Sequence, residues 1–501
     1  MKILLANPPC RIPLKNGKER YFVRAGSRWP FSVIKTRQEP LEYLPFPFYL
    51  AYTASLLLKS KLETEVLDSI TLNHTENEFL TELLTVNPDI LLFESTTPTI
   101  ENDYKLVKRI KKKLPHLTIC LSGPHVSVFP KEVLRECPEI DYIFIREYEI
   151  NFRDFCLNFH DNKNLAKITG IAYKKKNQYI IQLQKDNTDI NKLPPPALDL
   201  FPNREKHNPT LYWDGFCQNK PAIQMNASRG CPFRCNFCLW NQVMYQNGKY
   251  RTFSPKRIVT EMKSAQEKYG AREIYFDDDT FTGSKSNVLA ICQEIKQRKL
   301  NIKWSAMADA MITDKEMINQ MALSGCIGLK FGVESGNQAI LKHIEKPLNL
   351  TRLQQFTSWC AQRHIKTHAT FTFGLSGETK ESMEQTLSLA KSLDIDSVQF
   401  SLTTPFPGTR YYDEVKTEKR LRSTKWLDFD GANSSIICYP QLSNEEVTRF
   451  CKKASGRWLR HKMSKPYWLY RQSYNLRRLI AGQGISIVKT RLFRLLALIS
   501  Q

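Results

Sequence analysis

The sequence predicts an α/β protein in three parts: an N-terminal Rossmann-like doubly wound parallel sheet, a six-unit βα partial TIM barrel, and a mainly helical C-terminal region. Three observations carry this. Over the first 150 residues short β-like runs alternate with helical stretches, and a second βα series runs from about Ala222 to Pro405. The last eighty-five or so residues then turn rich in Trp, Tyr and Arg, with a helical composition. The expected boundaries are 1–165, a hairpin and Pro-rich linker over 166–215, the barrel over 216–415, and 416–501.

In the first part the strands are KILLAN, TEVLD near Leu67, DILLFES ending at Ser95, TICLSG ending at Gly123 and DYIFI ending at Ile145. FYLAYTASLLLKS and YKLVKRIKKKL are helix-like segments between them. Residues 11–40, basic and without a clear period, read as an ordered insertion or lid. A hairpin pattern, GIAYKKKNQYIIQ, leads to KLPPPALDLFP, where consecutive prolines forbid helix. The second series is AIQMNAS, EIYFDDD, KWSAMAD, IGLKFGVES, HATFTFG and SVQFSLT, each followed by a helical stretch. Six such units suit a partial barrel, which keeps its chemistry at the carboxyl ends of its strands.

At 501 residues the chain is too long for one core. Its 42% hydrophobic and 25% charged residues argue against disorder. No apolar run reaches the eighteen or so residues of a membrane span, and MKILLANPPC reads as a first strand instead of a signal peptide, so a cytoplasmic protein is expected. Thirteen cysteines in that compartment are reduced thiols, most of them small buried hydrophobes such as Cys120 and Cys292.

Three cysteines depart from that pattern. Cys231, Cys235 and Cys238 of RGCPFRCNFC are spaced CxxxCxxC directly after the first strand of the second series. A tight loop of this kind aims three thiolates at an iron-sulfur cube and leaves the fourth iron without a protein ligand. A structural zinc site would want a fourth Cys or His close by, for which Cys217, fourteen residues upstream, is the one candidate.

With Phe237 before the final cysteine, the motif resembles the CxxxCxΦC signature of the radical S-adenosylmethionine (radical SAM) superfamily. The resemblance implies a 4Fe-4S cluster on Cys231, Cys235 and Cys238, with S-adenosylmethionine chelating the open iron and yielding a 5'-deoxyadenosyl radical. It also implies S-adenosylmethionine contacts from Phe237, from Asp278 and Asp279 of FDDDTF, from Glu334 and Ser335 of GVESG, and from Gly374 of FGLSGET. Gly336 would admit close backbone approach, and Gly374 and Gly377 would make room for adenine. Three adjacent aspartates, Asp277 to Asp279, cannot all face one ammonium group. The third strand departs from many relatives: Trp304 leads to Ser305, Ala306, Met307, Ala308 and Asp309, without their arginine.

The front domain, through PLEYLPFPFYLAYTASLL, STTPTIEND, SGPHVS and REYE, resembles the cobalamin-binding half of the cobalamin-dependent radical SAM family, of class B methyltransferase and anaerobic cyclase type. That resemblance covers roughly residues 1 to 415. It implies cobalamin as a third cofactor, its nucleotide tail in a crevice flanked by Ser95, Thr96 and Thr97 after one strand and Gly123, Pro124 and His125 after the next. The DxHxxG motif that supplies a lower cobalt ligand elsewhere is absent: Asp68 is followed by Ser69 and Ile70, with Asn73 and His74 out of register. His125 is therefore expected on the tail or in packing, with no protein histidine on the metal.

The function implied is a cobalamin-dependent radical enzyme that methylates an unactivated substrate carbon. A radical cyclase or ring-rearranging enzyme with the same cofactors is the second reading, and a non-catalytic cobalamin or iron-sulfur sensor the third. Its partners are a small-molecule substrate and a flavodoxin- or ferredoxin-type reductant. Aromatic Phe31, Tyr212, Trp213, Trp240 and Tyr245 suit a flat or apolar substrate, such as a lipid, tetrapyrrole or natural-product scaffold, although such aromatics more often pack. The net charge of +23 calls for an anionic partner, and thirteen Lys and Arg with no Asp or Glu follow Val447. RWLRHKMSKPYWLYRQSYNLRRL and ISIVKTRLFRLLALI suit peripheral contact with an anionic membrane, docking of an acidic reductase, or packing on the barrel. Nucleic acid is less favoured, because no RNA-binding module surrounds Tyr474, Arg477 and Arg478.

Overall fold

A computed structural model describes residues 1–488 apart from 25, 27–29, 42, 185, 432–434 and 486. Strand β1 (Lys2–Asn7) leads into a small antiparallel sheet of β2 (Arg11–Pro13), β3 (Glu19–Val23) and β4 (Phe31–Lys35), so the stretch 11–40 is built around ordered structure. There follow β5 (Glu63–Asp68), β6 (Ile90–Glu94), β7 (Thr118–Ser122), β8 (Tyr142–Phe144), β9 (Ile171–Lys175) and β10 (Gln178–Gln182). They join β1 in one sheet of order β10-β9-β8-β7-β6-β1-β5. From β8 to β5 it is parallel, and the order reverses between β1 and β6.

Both faces of this sheet are covered. Along β1, Ile3 and Leu5 enter one apolar cluster, while Leu4 and Ala6 enter another; Leu92 and Leu91 of β6 divide in the same way. Period-two alternation with apolar residues on both faces is what a sheet with helices on each side requires. The hairpin β9–β10 is not part of a linker. Ile171 and Ala172 pair with Phe144 and Ile143, extending the first sheet antiparallel. Their burial explains the attachment: alone, the hairpin would leave both exposed.

The second series gives β11 (Ala222–Met225), the short pair β12 (Ser228–Arg229) and β13 (Arg251–Thr252), then β14 (Glu273–Phe276), β15 (Lys303–Ala308), β16 (Cys326–Glu334), β17 (Lys366–Phe373) and β18 (Ser397–Leu402). The main sheet runs β11-β14-β15-β16-β17-β18, parallel throughout. Its core is continuous with one face of the first sheet through the helix Phe48–Lys59, whose Tyr49, Leu50 and Tyr52 are buried in the same cluster as Ile223, Trp304 and Phe371.

The basic C-terminal helices Asn444–Met463 and Pro466–Gln483 pack on this second sheet. Trp458 Nε1 donates to Ala390 O at 2.9 Å, Trp468 Nε1 to Ile395 O at 3.1 Å and Lys462 Nζ to Leu393 O at 2.6 Å. Arg471 pairs with the buried Asp396 at 2.5 Å. The Tyr474 ring lies 5.0 Å from that of His364, whose carbonyl accepts from Arg478. The terminal stretch from Lys489 lies outside the described residues. Among those described, no helix is long and apolar enough to cross a membrane.

Candidate active site

The cysteine loop leaves the carboxyl end of β11 and is held from both sides. Behind it stand the aspartates that end β14. Asp278 Oδ1 accepts from Ala227 N at 2.8 Å and its Oδ2 from Ser228 Oγ at 2.6 Å. Asp279 accepts from Gly230 N at 3.0 Å, and Asp277 from Tyr43 Oη at 3.1 Å. Thr280 Oγ1 donates to Cys231 Sγ at 3.3 Å. The structure thus uses Asp278 and Asp279, read from sequence as S-adenosylmethionine contacts, to brace the loop. Backbone N–H groups leaving a strand end need acceptors, and these carboxylates supply them.

In front, Gln242 Nε2 lies within 3.2 Å of the carbonyls of Cys235, Asn236 and Cys238, and Asn241 Nδ2 donates to Phe233 O at 2.7 Å. Asn236 N donates to Ile344 O at 3.1 Å. Phe237 is half-buried against the main core. These amides follow the cysteine motif on a π-helical turn, Trp240–Met244. Sequence reasoning missed them because only the folded turn points them back.

Burial pushes all three thiols up, Cys235 to about 12, and the neighbouring thiols push further up on Cys235 and Cys238. Lys346 works against this at Cys235. Its ammonium is buried, pairs with Asp309 Oδ2 at 3.0 Å and is itself held in the charged form by Asp309, Cys235 and Glu334. Asp309 closes the third-strand segment Trp304–Asp309, which has no arginine. Here it anchors a cation beside the thiols.

Glu334 joins the same group. It has a left-handed backbone, φ 70°, at a bulge in β16, and accepts from Thr372 Oγ1 at 3.1 Å. Burial raises its carboxyl, and Lys346 opposes the rise. Ser335 and Gly336 go elsewhere: the Ser335 hydroxyl lies 3.3 Å from Thr386 Oγ1, and a Cβ on Gly336 would sit 2.7 Å from Gln385 O. They pack β16 against the helix Lys380–Ser392. At Gly374 the direction of a Cβ is taken by Tyr439 and Val447. A Cβ there would fall 2.4 Å from Tyr439 Oη, and that hydroxyl donates to Gly374 O at 2.8 Å.

Three thiols raised by burial want a strong cation, which an iron-sulfur cluster supplies. Among the described residues no group of three or more His, Cys, Asp or Glu side chains is arranged around one metal ion. A cluster takes each thiolate on a different iron, whereas zinc needs its sulfurs about 2.3 Å from one point. Cys217 does not join the three; it is buried with Phe216, Ala222 and Tyr275 ahead of β11. The loop fits a cluster on Cys231, Cys235 and Cys238.

A buried ionic clasp ties this loop to the first sheet. Arg229 donates to Glu147 Oε1 at 3.0 Å and to Glu149 Oε1 at 2.5 Å, and Arg251 to Glu147 Oε2 at 2.8 Å. The Arg229 guanidinium lies 4.5 Å from the Tyr49 ring centroid and 5.2 Å from that of Tyr52. REYE and SRGC, separate motifs in sequence, are one contact in space.

At the first sheet, Ser95, Thr96, Thr97, Gly123 and His125 are all brought to the carboxyl ends of β6 and β7, and all are buried. Ser95 Oγ donates to Asp103 at 2.6 Å, and Asp103 pairs at 2.5 Å with Arg24, which is buried and also donates to Pro8 O. Gly123, φ 110°, passes so close that a Cβ would meet Ser95 O at 2.3 Å. His125 packs against Phe129 and Trp426, 3.3 Å from Thr97 Oγ1, and burial takes it down to about 3, so the imidazole is neutral. The hydroxyls of this group are engaged locally, Ser95 by Asp103, Thr96 by Thr99 and Thr97 by His125.

On the face shared with the second sheet, Asn7, Glu94 and Ser122, the last residues of β1, β6 and β7, are buried polar side chains. Asn7 Oδ1 and Ser122 Oγ are buried without a hydrogen-bond partner. Glu94 accepts from Tyr148 Oη at 2.8 Å, and burial holds its carboxyl up at about 7. Orphaned polar atoms where the strand order reverses fit the amide-rich rim of a corrinoid. Of the aromatics considered for substrate, Tyr212, Trp240 and Tyr245 are core residues; Tyr212 donates to Asp68 and Trp240 to Tyr245.

Comparison with known proteins agrees with this geometry. The Radical SAM superfamily model matches residues 225–390 and the B12 binding domain model residues 41–155. An uncharacterised methyltransferase of Pyrococcus horikoshii is 28% identical over 457 residues, covering 91% of each chain. The anaerobic magnesium-protoporphyrin IX monomethyl ester cyclase of Rubrivivax gelatinosus is 24% identical over 386 residues, 74% of this chain and 66% of that one. The radical S-adenosylmethionine methyltransferase TsrM of Kitasatospora setae, solved with cobalamin and a 4Fe-4S cluster bound, superposes with a TM-score of 0.64 at 17% identity, over 85% of this chain and 76% of that one. Fold and cysteine loop define a radical SAM enzyme. The chain carries a radical SAM domain and a B12 binding domain, with a 4Fe-4S cluster, S-adenosylmethionine and cobalamin as its cofactors.

Proposed function

We propose that this enzyme methylates an unactivated carbon of a small-molecule substrate, working with a flavodoxin- or ferredoxin-type reductant. In that chemistry the cluster and S-adenosylmethionine supply a 5'-deoxyadenosyl radical, and methylcobalamin supplies the methyl group. Cys231, Cys235 and Cys238 hold the cluster, Lys346 and Asp309 set the charge beside Cys235, and Glu334 faces the same space. Asn7, Glu94 and Ser122 line the corrinoid side. The first sheet with its hairpin is the cobalamin domain, and the six-stranded sheet is the partial barrel that carries the cluster. The observation that supports this most is the Arg229 clasp, which holds the cysteine loop against the carboxyl ends of the first sheet. Two cofactors can share one substrate only if their sites are held face to face and water is kept out.

A cyclase or ring-rearranging enzyme with the same cofactors is the second reading, favoured by the likeness to the Rubrivivax cyclase. Product analysis separates them. Methylation releases S-adenosylhomocysteine together with 5'-deoxyadenosine, and cyclisation releases 5'-deoxyadenosine alone. Anaerobic reconstitution should give about four irons per chain, lost when Cys231, Cys235 and Cys238 are replaced together, and separately a bound corrinoid. Retention of the cluster by that triple variant overturns the assignment.

A further inference from the structure

Away from the cysteine loop, a groove of about 1100 Å³ lies between the helix Asn444–Met463 and residues 422–428 with Ser435 and Ile436. Arg422, Lys425, Arg449, Lys452 and Lys453 line it, against two carboxylates, Asp428 and Glu445. Glu445 is paired with Arg422 and Asp428 accepts from Ser423. Among the described residues, Lys425, Arg449, Lys452 and Lys453 have no ion pair, and burial leaves the floor polar, with Asn444 and Thr448. Four unpaired cations around one concavity repel each other, and the arrangement lowers in energy when a polyanion enters it.

The position of the groove matters as much as its charge. Its wall at Asp428 belongs to a strip, 426–431, that faces the carboxyl ends of both sheets. Trp426 of that strip packs on His125 and Phe129 beside the first sheet. Gly431 O accepts from Leu402 N at the end of β18, and Asp430 pairs with Arg20 at 2.5 Å. On the other bank, Tyr439 and Val447 close over Gly374 at the end of β17. Residues of both banks thus contact the ends of β17 and β18.

We propose that this groove seats the phosphoryl or polyphosphoryl part of the substrate, whose apolar or neutral part reaches over the strip to the two cofactors. The inference rests on the methyltransferase reading and narrows its substrate to phosphorylated small molecules. Lys and Arg bind phosphate as point charges and as planar forks respectively, and the groove has both. Its volume exceeds that of a single phosphate and admits the adjoining organic group.

Calorimetric titration of the reconstituted holoenzyme with inorganic pyrophosphate should show saturable one-site binding that weakens with salt. Arg449→Glu/Lys453→Glu should weaken it at least about tenfold, and the milder Lys425→Gln/Lys452→Gln several-fold. Lys465→Glu/Arg477→Glu, outside the groove, should leave it unchanged. Iron content, bound corrinoid and 5'-deoxyadenosine formation in the absence of substrate should be the same in all three variants, so a failure of the enzyme reading shows as no 5'-deoxyadenosine from the unaltered protein whatever pyrophosphate does. Absence of saturable binding, equal loss in the outside variant, or binding to phosphatidylglycerol vesicles without binding to pyrophosphate would each overturn the proposal.

Discussion

Arg229 and Glu149 meet at 2.5 Å inside the protein, the arginine two residues before Cys231 and the glutamate just past the last parallel strand of the first sheet. With Glu147 and Arg251 they make a buried set of two cations and two carboxylates, charge-neutral as a whole. Removing one member leaves an uncompensated charge in a low dielectric. Arg229→Met should therefore destabilise the protein by about 3–5 kcal/mol and cut the iron retained after reconstitution. Arg229→Met/Glu149→Leu should recover much of the loss, since Glu147 keeps Arg251. Urea midpoints and iron per chain check both.

Asp278 braces the loop through two hydrogen bonds. Asp278→Asn keeps one good acceptor and should cost about 1–2 kcal/mol. Iron retention should fall, while 5'-deoxyadenosine formed per bound cluster stays near that of the unaltered protein. A drop in turnover per cluster at full iron content would instead place Asp278 on S-adenosylmethionine.

Glu94 sets a pH dependence. Its folded pKa, about 7, lies above the ordinary 4.5, so the folded state prefers the neutral acid. The cost of ionising it is absent below pH 4.5, grows as pH rises through the window to 7, and is complete above 7. Glu94→Gln keeps the oxygen that accepts from Tyr148 and removes that cost. It should be more stable than the unaltered protein at pH 8 by about 2–3 kcal/mol, with the gap shrinking towards pH 5, as read from urea midpoints at both pH values.

Gly374 needs its left-handed φ of 88° and the space its missing Cβ leaves for Tyr439. Gly374→Ala should lower stability by about 2 kcal/mol, and Tyr439→Phe, which removes the hydroxyl the methyl would strike, should restore part of it in the double variant. Thermal melting of the three variants tests the coupling.

Much of this architecture was legible in the sequence because its signals are short-range. The six strands from AIQM to SVQFSL appear where their periodicity puts them, and the cysteine loop follows the first. The hairpin at GIAYKKKNQYIIQ was recognisable, but its attachment to β8 was not, since pairing depends on which edge lies near. Site residues chosen by motif divided similarly. Glu334 faces the cysteine loop, while Ser335, one residue on, turns into helix packing because β16 bulges there.

What the sequence determined by itself is the chemistry of initiation: three thiols within eight residues, after a strand end, carry the cluster signature in one local stretch. Tertiary structure decided which polar groups that loop leans on and which remain open. Asp278 meets Ala227 across 51 positions, Glu149 meets Arg229 across 80, and Gly374 meets Tyr439 across 65. Identical carboxylates and hydroxyls become brace, clasp or open acceptor according to what packs beside them, because a buried polar group must find its partner wherever the fold delivers one. That delivery is a property of the packed chain, and no local pattern encodes it.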